Sequence, residues 1–518
     1  MRLGIDVGGT NTDAVLLTDE GRLLAVAKQP TSSDILSGIR EAVRNVLLEA
    51  DVRQSRLEGI FIGTTHVLNA IHSRRELART ALIRISRQAA PLEPAIGWLS
   101  PLKPFIHSHH FIKSGNGYHG MKSGELELQL PQFMEAVHAG EIESVCIVGA
   151  YSPMYEQEEL CIKHLLNARF PHLPVTVSHR LGSIGFIERE NAALLNAILS
   201  KVIRKALEGL SAIFKELSIY CPYWLIQNNG SLMPIEEAIE YPVLTIGSGI
   251  ANSMRGAAVL SGYRDCIAVD FGGSTIDVGL VKNGLPVETI RHSSLLGASL
   301  GIPMPSFISL PIGGGSVVKE GGADIRTGQT IAHDLEKHAV AWGGKTWTVT
   351  DSFLKLYPDA FLSGQDHFRH LGQLDEDACQ RVIESVLTAV KDTIEQLTVH
   401  EEKLPIVLVG GGSPLLNDRL FGRYRKVINP AGYHICNAIG ACFAHVSEQV
   451  DKVYWLREQT KEEVIEGAVA AAREAVIWKG AKPGSVRIAY VEEYPFDYLQ
   501  GEVLRVRTKA IGELEMKS

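Results

Sequence analysis

The chain has 518 residues, 45% of them hydrophobic and 21% charged, and carries a formal net charge of −8. That length exceeds what one hydrophobic core spans, so about two to four domains are expected. The acidic balance excludes nucleic acid and anionic membrane surfaces as partners, because both call for clustered Lys and Arg.

The seven cysteines are dispersed, with no CxxC pair, which reads as reduced thiols in a cytoplasmic protein. The chain opens MRLGID, directly in a strand, so no leader segment is expected. No apolar run approaches the roughly 18 to 20 residues that a membrane span needs.

The first element is a hairpin. RLGIDV (2–7) is a short apolar run suited to a buried strand, and DVGGTNTDAVLL (6–17) carries it through Gly8-Gly9 into a second strand. Paired glycines let backbone N–H groups approach a ligand closely, and Thr10, Asn11 and Thr12 add hydroxyl and amide groups at the tip. Asp6, at the end of the first strand, cannot bind phosphate itself, but it can hold a hydrated Mg²⁺ or orient a water. GIFIG (59–63) is a further buried run, ending in Thr64 and Thr65, whose hydroxyls can meet phosphate or substrate or form an ordinary ST-turn.

Residues 86 to 180 read as a Pro- and His-rich insertion, a β-rich arm (FIKSGNGYHGMKSGELEL) and a strand–helix unit. HSHH (107–110) lacks the nearby Cys or acid that would complete a metal ligand set, and is expected on a surface loop. ERENAALLNAILSKVIRKALEGL (188–210) is an amphipathic helix, with Glu188 and Glu190 favouring its N-terminal dipole and Arg189 and Asn191 as candidates to face a cleft. GSGIAN (247–252) lacks the third glycine of a dinucleotide fingerprint.

CIAVDF (266–271) and DFGGSTIDVGLV (270–281) then repeat the opening pattern of strand, acid, Gly-Gly, small polar residues, acid and strand. Gly272, Gly273, Ser274 and Thr275 form this second tip, with Asp270 and Asp277 taking the places of Asp6 and Asp13. A lone DxGG could merely join two strands; a duplicated one points to two tips gripping one anion. Gly313-Gly314-Gly315-Ser316 is another glycine loop, and a helical insertion is expected near 320–400. WGGKT (342–346) fails as a P-loop because the required earlier glycine is Ala339. Thr350-Asp351 reads as the cap of the helix that follows it.

KLPIVLVGGGSPLL (403–416) is a buried strand ending in Gly410, Gly411, Gly412 and Ser413, where no side chain blocks a flat adenine ring or a phosphate. NAIGAC (437–442) lies on a helix whose small residues allow tight packing. Beyond 450, an alternating-charge helix (457–480) leads to the strands VRIAYVEEY and VLRVRTKAIG.

Two phosphate hairpins followed by a strand-GGG loop resemble the actin, Hsp70 and sugar-kinase superfamily. The wider set of blocks resembles, more narrowly, the ATP-binding (hydantoinase A-type) half of the hydantoinase/oxoprolinase family. Those blocks are DVGGTNTD (6–13), GTTHVLNAI (63–71), RTALI (79–83), SHRLGSIGFIERENAALLNAIL (178–199), QNNGSLM (227–233), PVLTIGSGIANSMRGAA (242–258), DFGGSTIDVG (270–279), LPIGGGSV (310–317), TVTD (348–351) and NAIGAC (437–442).

The resemblance implies an α/β fold of two actin-like (ribonuclease H-like) lobes around an ATP cleft. The divisions are 1–180 for an N-terminal lobe with insertion, 181–450 for the main region with the second lobe, and 451–518 for a small α+β module. It implies an ATP-dependent hydrolase that opens a cyclic amide (5-oxoproline, hydantoin or a related lactam) by phosphoryl activation of the amide oxygen. The alternatives are a small-molecule kinase, a carboxylase ATP subunit or an activator-type ATPase.

ATP and Mg²⁺ are the implied cofactors. Asp6, Asp270, Asp13 and Asp277 are the expected catalytic set, with Asp6 and Asp270 expected to hold the metal through water. The hairpin tips and Gly410–Ser413 bind nucleotide. Thr64, Thr65, Gly314, Gly315, Ser316, Arg189 and Asn191 are candidates to meet substrate or face the cleft. A second, hydantoinase B-type subunit and an oligomeric assembly are expected. The Pro-rich segment 86–105, and Ile250 and Ile276, depart from the family pattern without removing an acid or a Gly-Gly pair.

Overall fold

The computed structural model describes residues 1–9, 11–30, 35–51, 56–64, 66–86, 92–98, 100–113, 131–182, 184–290, 294–295, 297–319, 324–358, 370–398, 403–416, 425–456, 459–496 and 503–516. Thr10, Thr65 and most of the arm at 111–128 lie outside the described residues.

The opening strand, Arg2–Val7, is buried along nearly its whole length and pairs antiparallel with Asn11–Leu17. Leu23–Pro30 adds antiparallel on one side; Gly59–Thr64 and then Tyr223–Ile226 add parallel on the other. Leu3, Ile5 and Val7 pack on one face of this sheet, where the helix Ile35–Glu49 brings Ile39, Ala42, Val43 and Val46. Val15, Leu17 and Phe61 pack on the other. Strands buried on both faces read as continuous apolar runs instead of alternating ones, as RLGIDV does.

The second lobe repeats this arrangement strand for strand. Cys266–Phe271 pairs antiparallel with Ile276–Lys282, which takes Phe307–Leu310 antiparallel at its outer edge. Ile406–Val409 and then Val427–Ile428 add parallel on the other side. The 22-residue helix Glu376–Leu397 covers this sheet with Val382, Ile383, Val386, Val390 and Ile394, and the Asp375 carboxylate caps it by accepting from Ala378 N–H at 2.8 Å.

A four-stranded parallel sheet, Ile106–Lys113, Thr80–Ser86, Ser144–Gly149 and Val175–Val177, forms the insertion of the first lobe. His107 to His110 lie on its edge strand with alternating exposure, not on a loop; His110 shares a 2.9 Å hydrogen bond with Ser108. Behind this sheet runs the 31-residue helix Phe186–Glu216, so heavily buried that it serves as a core element.

After residue 445 the chain returns to the first lobe. Val446–Trp455 pairs with Leu232–Met233, and Val503–Gly512 and Arg487–Pro495 follow antiparallel, making nine strands in one sheet. The division at 450 falls inside the strand Val446–Trp455, and the helix Lys461–Trp478 packs on these added strands. The capped helix of the second lobe is Val349–Leu356. Its cap is Thr348, in a capping box with Asp351, instead of Thr350. No described helix is long and apolar enough to cross a membrane.

Candidate active site

The two hairpins share one register. Asp6 stands opposite Asp13, and Asp270 opposite Asp277. Each turn closes with the same bond: Gly8 N–H donates to Asn11 O at 2.9 Å, and Gly272 N–H to Thr275 O at 2.9 Å. These first amides are spent inside the turn. Gly273 and Ser274, by contrast, have no intramolecular acceptor for their N–H groups among the described residues, so those donors are open to an anion. At the first tip, side-chain polar groups come from half-buried Asn11 and buried Thr12.

Beside each first acid, the parallel neighbour strand places a glycine. Gly63 lies next to Asp6, and a Cβ there would sit 2.7 Å from Asp6 Oδ1 and 2.1 Å from Asn252 Nδ2. Gly410 follows Val409, the partner of Asp270; its φ of +86° and a Cβ position 2.1 Å from Asp270 Oδ1 admit only glycine. Gly410 N–H donates to Tyr433 O at 3.0 Å and Gly412 N–H to Phe271 O at 2.8 Å, which leaves Gly411 as the exposed position of that loop.

Two helices bring the lobes together. Ser248–Ser261 packs on the second-lobe strands, and Cys436–Cys442 on the first-lobe strands. They cross at glycines: a Cβ on Gly256 would lie 2.1 Å from Cys436 O, and one on Gly440 2.0 Å from Asn252 O. That closeness delivers polar side chains to the acids. Asn437 Nδ2 donates to Asp6 Oδ2 at 3.4 Å, Asn252 sits beside Asp6, and the Ser253 hydroxyl lies against Asp270. Ser248 Oγ accepts from Thr64 N–H at 3.3 Å and donates to Thr64 O at 3.1 Å, tying the end of the Gly59–Thr64 strand to the same helix.

Burial pushes the Asp6 carboxyl up to about 7, and the charges of Asp13 and Asp270 add to the shift while the Asn437 and Asn252 amides oppose it. Asp6 and Asp270 are thus near enough for the charge of one to act on the other. Asp277 is also raised to about 7, by burial first and by the charge of Asp270; the hydroxyls of Ser309 and of Thr275, the latter at 3.4 Å, oppose it. Burial raises Asp270 too, against the neighbouring Ser253 hydroxyl. It raises Asp13 against the pull of Lys28, 3.5 Å away.

Asp6 Oδ1 and Asp277 Oδ1 are buried and accept no hydrogen bond from the described residues. The acceptor oxygens left over on these acids are what a hydrated cation would meet. Among the described residues no three metal-ligating side chains gather closely enough to hold an ion alone. That arrangement fits Mg²⁺, which keeps most of its waters and takes phosphate oxygens as further ligands.

The remaining candidates fall into place away from this centre. Gly314 N–H donates to Gly272 O at 3.0 Å and Gly315 N–H to Gly273 O at 2.8 Å, while Gly314 O accepts from Thr350 N–H at 2.9 Å and from its hydroxyl at 2.8 Å. Ser316 is fully buried and accepts from Gly313 N–H at 2.8 Å. This loop is hydrogen-bonded to the turn of the second hairpin.

Arg189 is fully buried; its Nε donates to Ser178 Oγ at 3.0 Å and its Nη2 to Gly149 O at 2.5 Å. Asn191 donates to Ser299 O at 2.9 Å. Both knit the long helix to its neighbours, and neither meets the acids. Ser413 is buried with its hydroxyl unpartnered. Asn252, Ser253 and Asn437 are the side chains that motif reading misses as site residues. Their signal is the small-residue spacing around Gly256 and Gly440, which announces a helix crossing but not what it carries.

A doubled five-strand α/β unit, with paired acids at matching hairpins on a shared cleft, defines a two-lobed actin-like protein. The chain belongs to the hydantoinase/oxoprolinase family: the model of that family's N-terminal region matches residues 2–170, and the hydantoinase/oxoprolinase model matches residues 189–450. It is 26% identical to the caprolactamase subunit alpha of Pseudomonas jessenii over 87% of this chain and 67% of that one. It is 23% identical to the acetophenone carboxylase gamma subunit of Aromatoleum aromaticum over 90% of this chain and 71% of that one. Among solved structures, the ATP-dependent caprolactamase from Pseudomonas jessenii superposes with a TM-score of 0.76 at 20% identity, covering 99% of this chain and 88% of that one. A nucleotide-free acetone carboxylase gives 0.70 at 16% identity, covering 100% and 88%.

Proposed function

We propose that this chain is the ATP-binding subunit of an enzyme that opens a cyclic amide, and that a second, hydantoinase B-type chain completes it. The observation that carries the reading is the shared register of the two hairpins, with Asp6 and Asp270 facing one cleft. The open N–H groups of Gly273 and Ser274, with Gly9 at the first tip, hold the β- and γ-phosphates of ATP. Asp6 and Asp270 would hold Mg²⁺ through its waters, and Gly411 with Gly412 would accommodate the nucleoside. The metal, when bound, neutralises charge on the phosphoryl group in transfer.

A lactam amide resists hydrolysis because its nitrogen shares its lone pair with the carbonyl. In the proposed reaction the amide oxygen attacks the γ-phosphorus, and the bond to the β-phosphate oxygen breaks with ADP leaving. The carbonyl carbon, now electrophilic, takes a water; the C–N bond breaks as the ring nitrogen gains a proton. A second water then releases phosphate, leaving an amino acid. The cyclic-amide class is supported by the name of the caprolactamase relative.

A carboxylase reading, in which a ketone is the phosphoryl acceptor, rests on the acetophenone and acetone carboxylase relatives. Product analysis separates the two. With the second chain present, ATP consumption coupled to lactam opening, and abolished by Asp6→Ala or Asp270→Ala with the fold intact, is the expected result. Consumption coupled only to a ketone and bicarbonate would establish the carboxylase instead. Turnover unchanged in both variants would refute the site.

A further inference from the structure

Arg255 lies on the helix Ser248–Ser261, one turn beyond Asn252, and is 2% exposed. A guanidinium removed from water is costly unless an anion meets it. Among the described residues no acid pairs with it. One N–H reaches Gly230 O, and Nε–H has no acceptor among the described residues. Burial alone pushes this guanidinium down to about 10, with no nearby carboxylate opposing the shift.

Arg255 also forms part of the wall of two cavities, of about 290 and 330 Å³, and His445 stands beside it in both. His445 Nδ1 is buried and unpartnered, and its ring is pushed down to about 3 by burial and then by the charge of Arg255, so it faces the cavities neutral. The first cavity lies on the seam where the added strands of the nine-stranded sheet approach Lys282–Ile290 of the second lobe. Its two acids are paired, Glu288 with Lys509 through one oxygen, its Oε2 having no partner among the described residues, and Glu492 with Arg507 at 2.6 Å. Leu285, Pro286 and Ile511 give it an apolar side, and no residue of either hairpin turn lines it.

We propose that Arg255 anchors a second ligand pocket, separate from the nucleotide cleft, that takes a small aliphatic carboxylate. The guanidinium receives the carboxylate through its N–H groups on the cavity wall. The aliphatic part lies against Leu285, Pro286 and Ile511. Inorganic phosphate shares the charge but offers nothing to that apolar wall.

Calorimetric titration of the full chain with sodium butyrate, butyramide and inorganic phosphate tests this. Butyrate should bind, with its dissociation constant raised about tenfold or more in Arg255→Met, since a hydrogen bond to a charged group is worth that much. Butyramide should bind at least as weakly to the wild type as butyrate does to that variant. Leu285→Trp, which fills the cavity without touching the guanidinium, should also abolish butyrate binding and serves if Arg255→Met fails to fold. Absence of butyrate binding to the wild type, or binding unchanged in either folded variant, overturns the pocket. Phosphate binding as tight as butyrate overturns the carboxylate assignment.

Discussion

Asp6 concentrates the chemistry of the site in one carboxyl group. Its partner across the strand pair is another acid, its lobe-to-lobe neighbour is a third, and two amides are all that opposes their repulsion. With its titration raised to about 7, the folded, unliganded chain keeps a proton that the unfolded chain releases near pH 4. The sign follows: as pH rises from about 4 to 7 this group subtracts stability, and above about 7 the loss is complete, on the order of 2–4 kcal/mol.

Asp6→Asn removes the ionising group while keeping its shape. The unliganded variant should therefore melt at higher temperature than the wild type at about pH 8 and converge with it near pH 4, while losing Mg²⁺-dependent ATP turnover. Melting curves across that range check it; parallel curves for the two proteins would show that Asp6 ionises normally. The acid itself is legible in the sequence, because the run of strand, acid and Gly-Gly occurs twice. Asn437 and Asn252 are not, because their approach to Asp6 depends on a helix crossing that no local pattern encodes.

At the scale of elements, the hairpins are readable and their supports are not. RLGIDV and CIAVDF announce buried strands by apolar continuity, and Gly-Gly fixes the turns between strands. The GGGS loop at 313–316 carries the same composition, yet its amides serve the hairpin carbonyls, a pairing between segments some forty residues apart that the residues alone leave open. Arg189 and Asn191 are equally ambiguous, because the stretch 189–200 of their helix is buried on every side and gives no polar face there by which to orient it.

The helix crossing is the element on which the site's geometry depends. Gly256 and Gly440 let two backbones approach within contact of each other, and the nearest neighbour at each point is a backbone carbonyl, which cannot swing aside as a flexible side chain could. Gly256→Ala should force the helices apart, cost about 1–3 kcal/mol of stability, and cut ATP turnover further than that loss explains, because Asn252 and Ser253 move with the helix. Thermal melting with turnover measured well below the melting point checks it. Wild-type turnover in a stably folded variant would show that the crossing does not set the site.

For the whole molecule, the internal duplication is structural as well as sequential: each lobe orders its five central strands alike, and each supplies a pair of acids and one of the crossing helices. Local patterns display only a helix and two strands after residue 450, which is why the returning C-terminal strands look like a separate small module in the sequence. Their pairing with Leu232–Met233 spans some two hundred residues of chain, beyond the reach of periodicity. They extend the first sheet and bring Lys509 to Glu288 of the second lobe, so the lobes are linked on the far side of the helix pair as well as through it.

A crystal structure with Mg²⁺ and a non-hydrolysable ATP analogue tests the shared cleft most directly. The β- and γ-phosphates should lie between the two turns, within hydrogen-bond distance of the Gly273 and Ser274 amides, with the metal's waters on Asp6 and Asp270. Nucleotide bound to one hairpin alone, or outside the space between them, would contradict it.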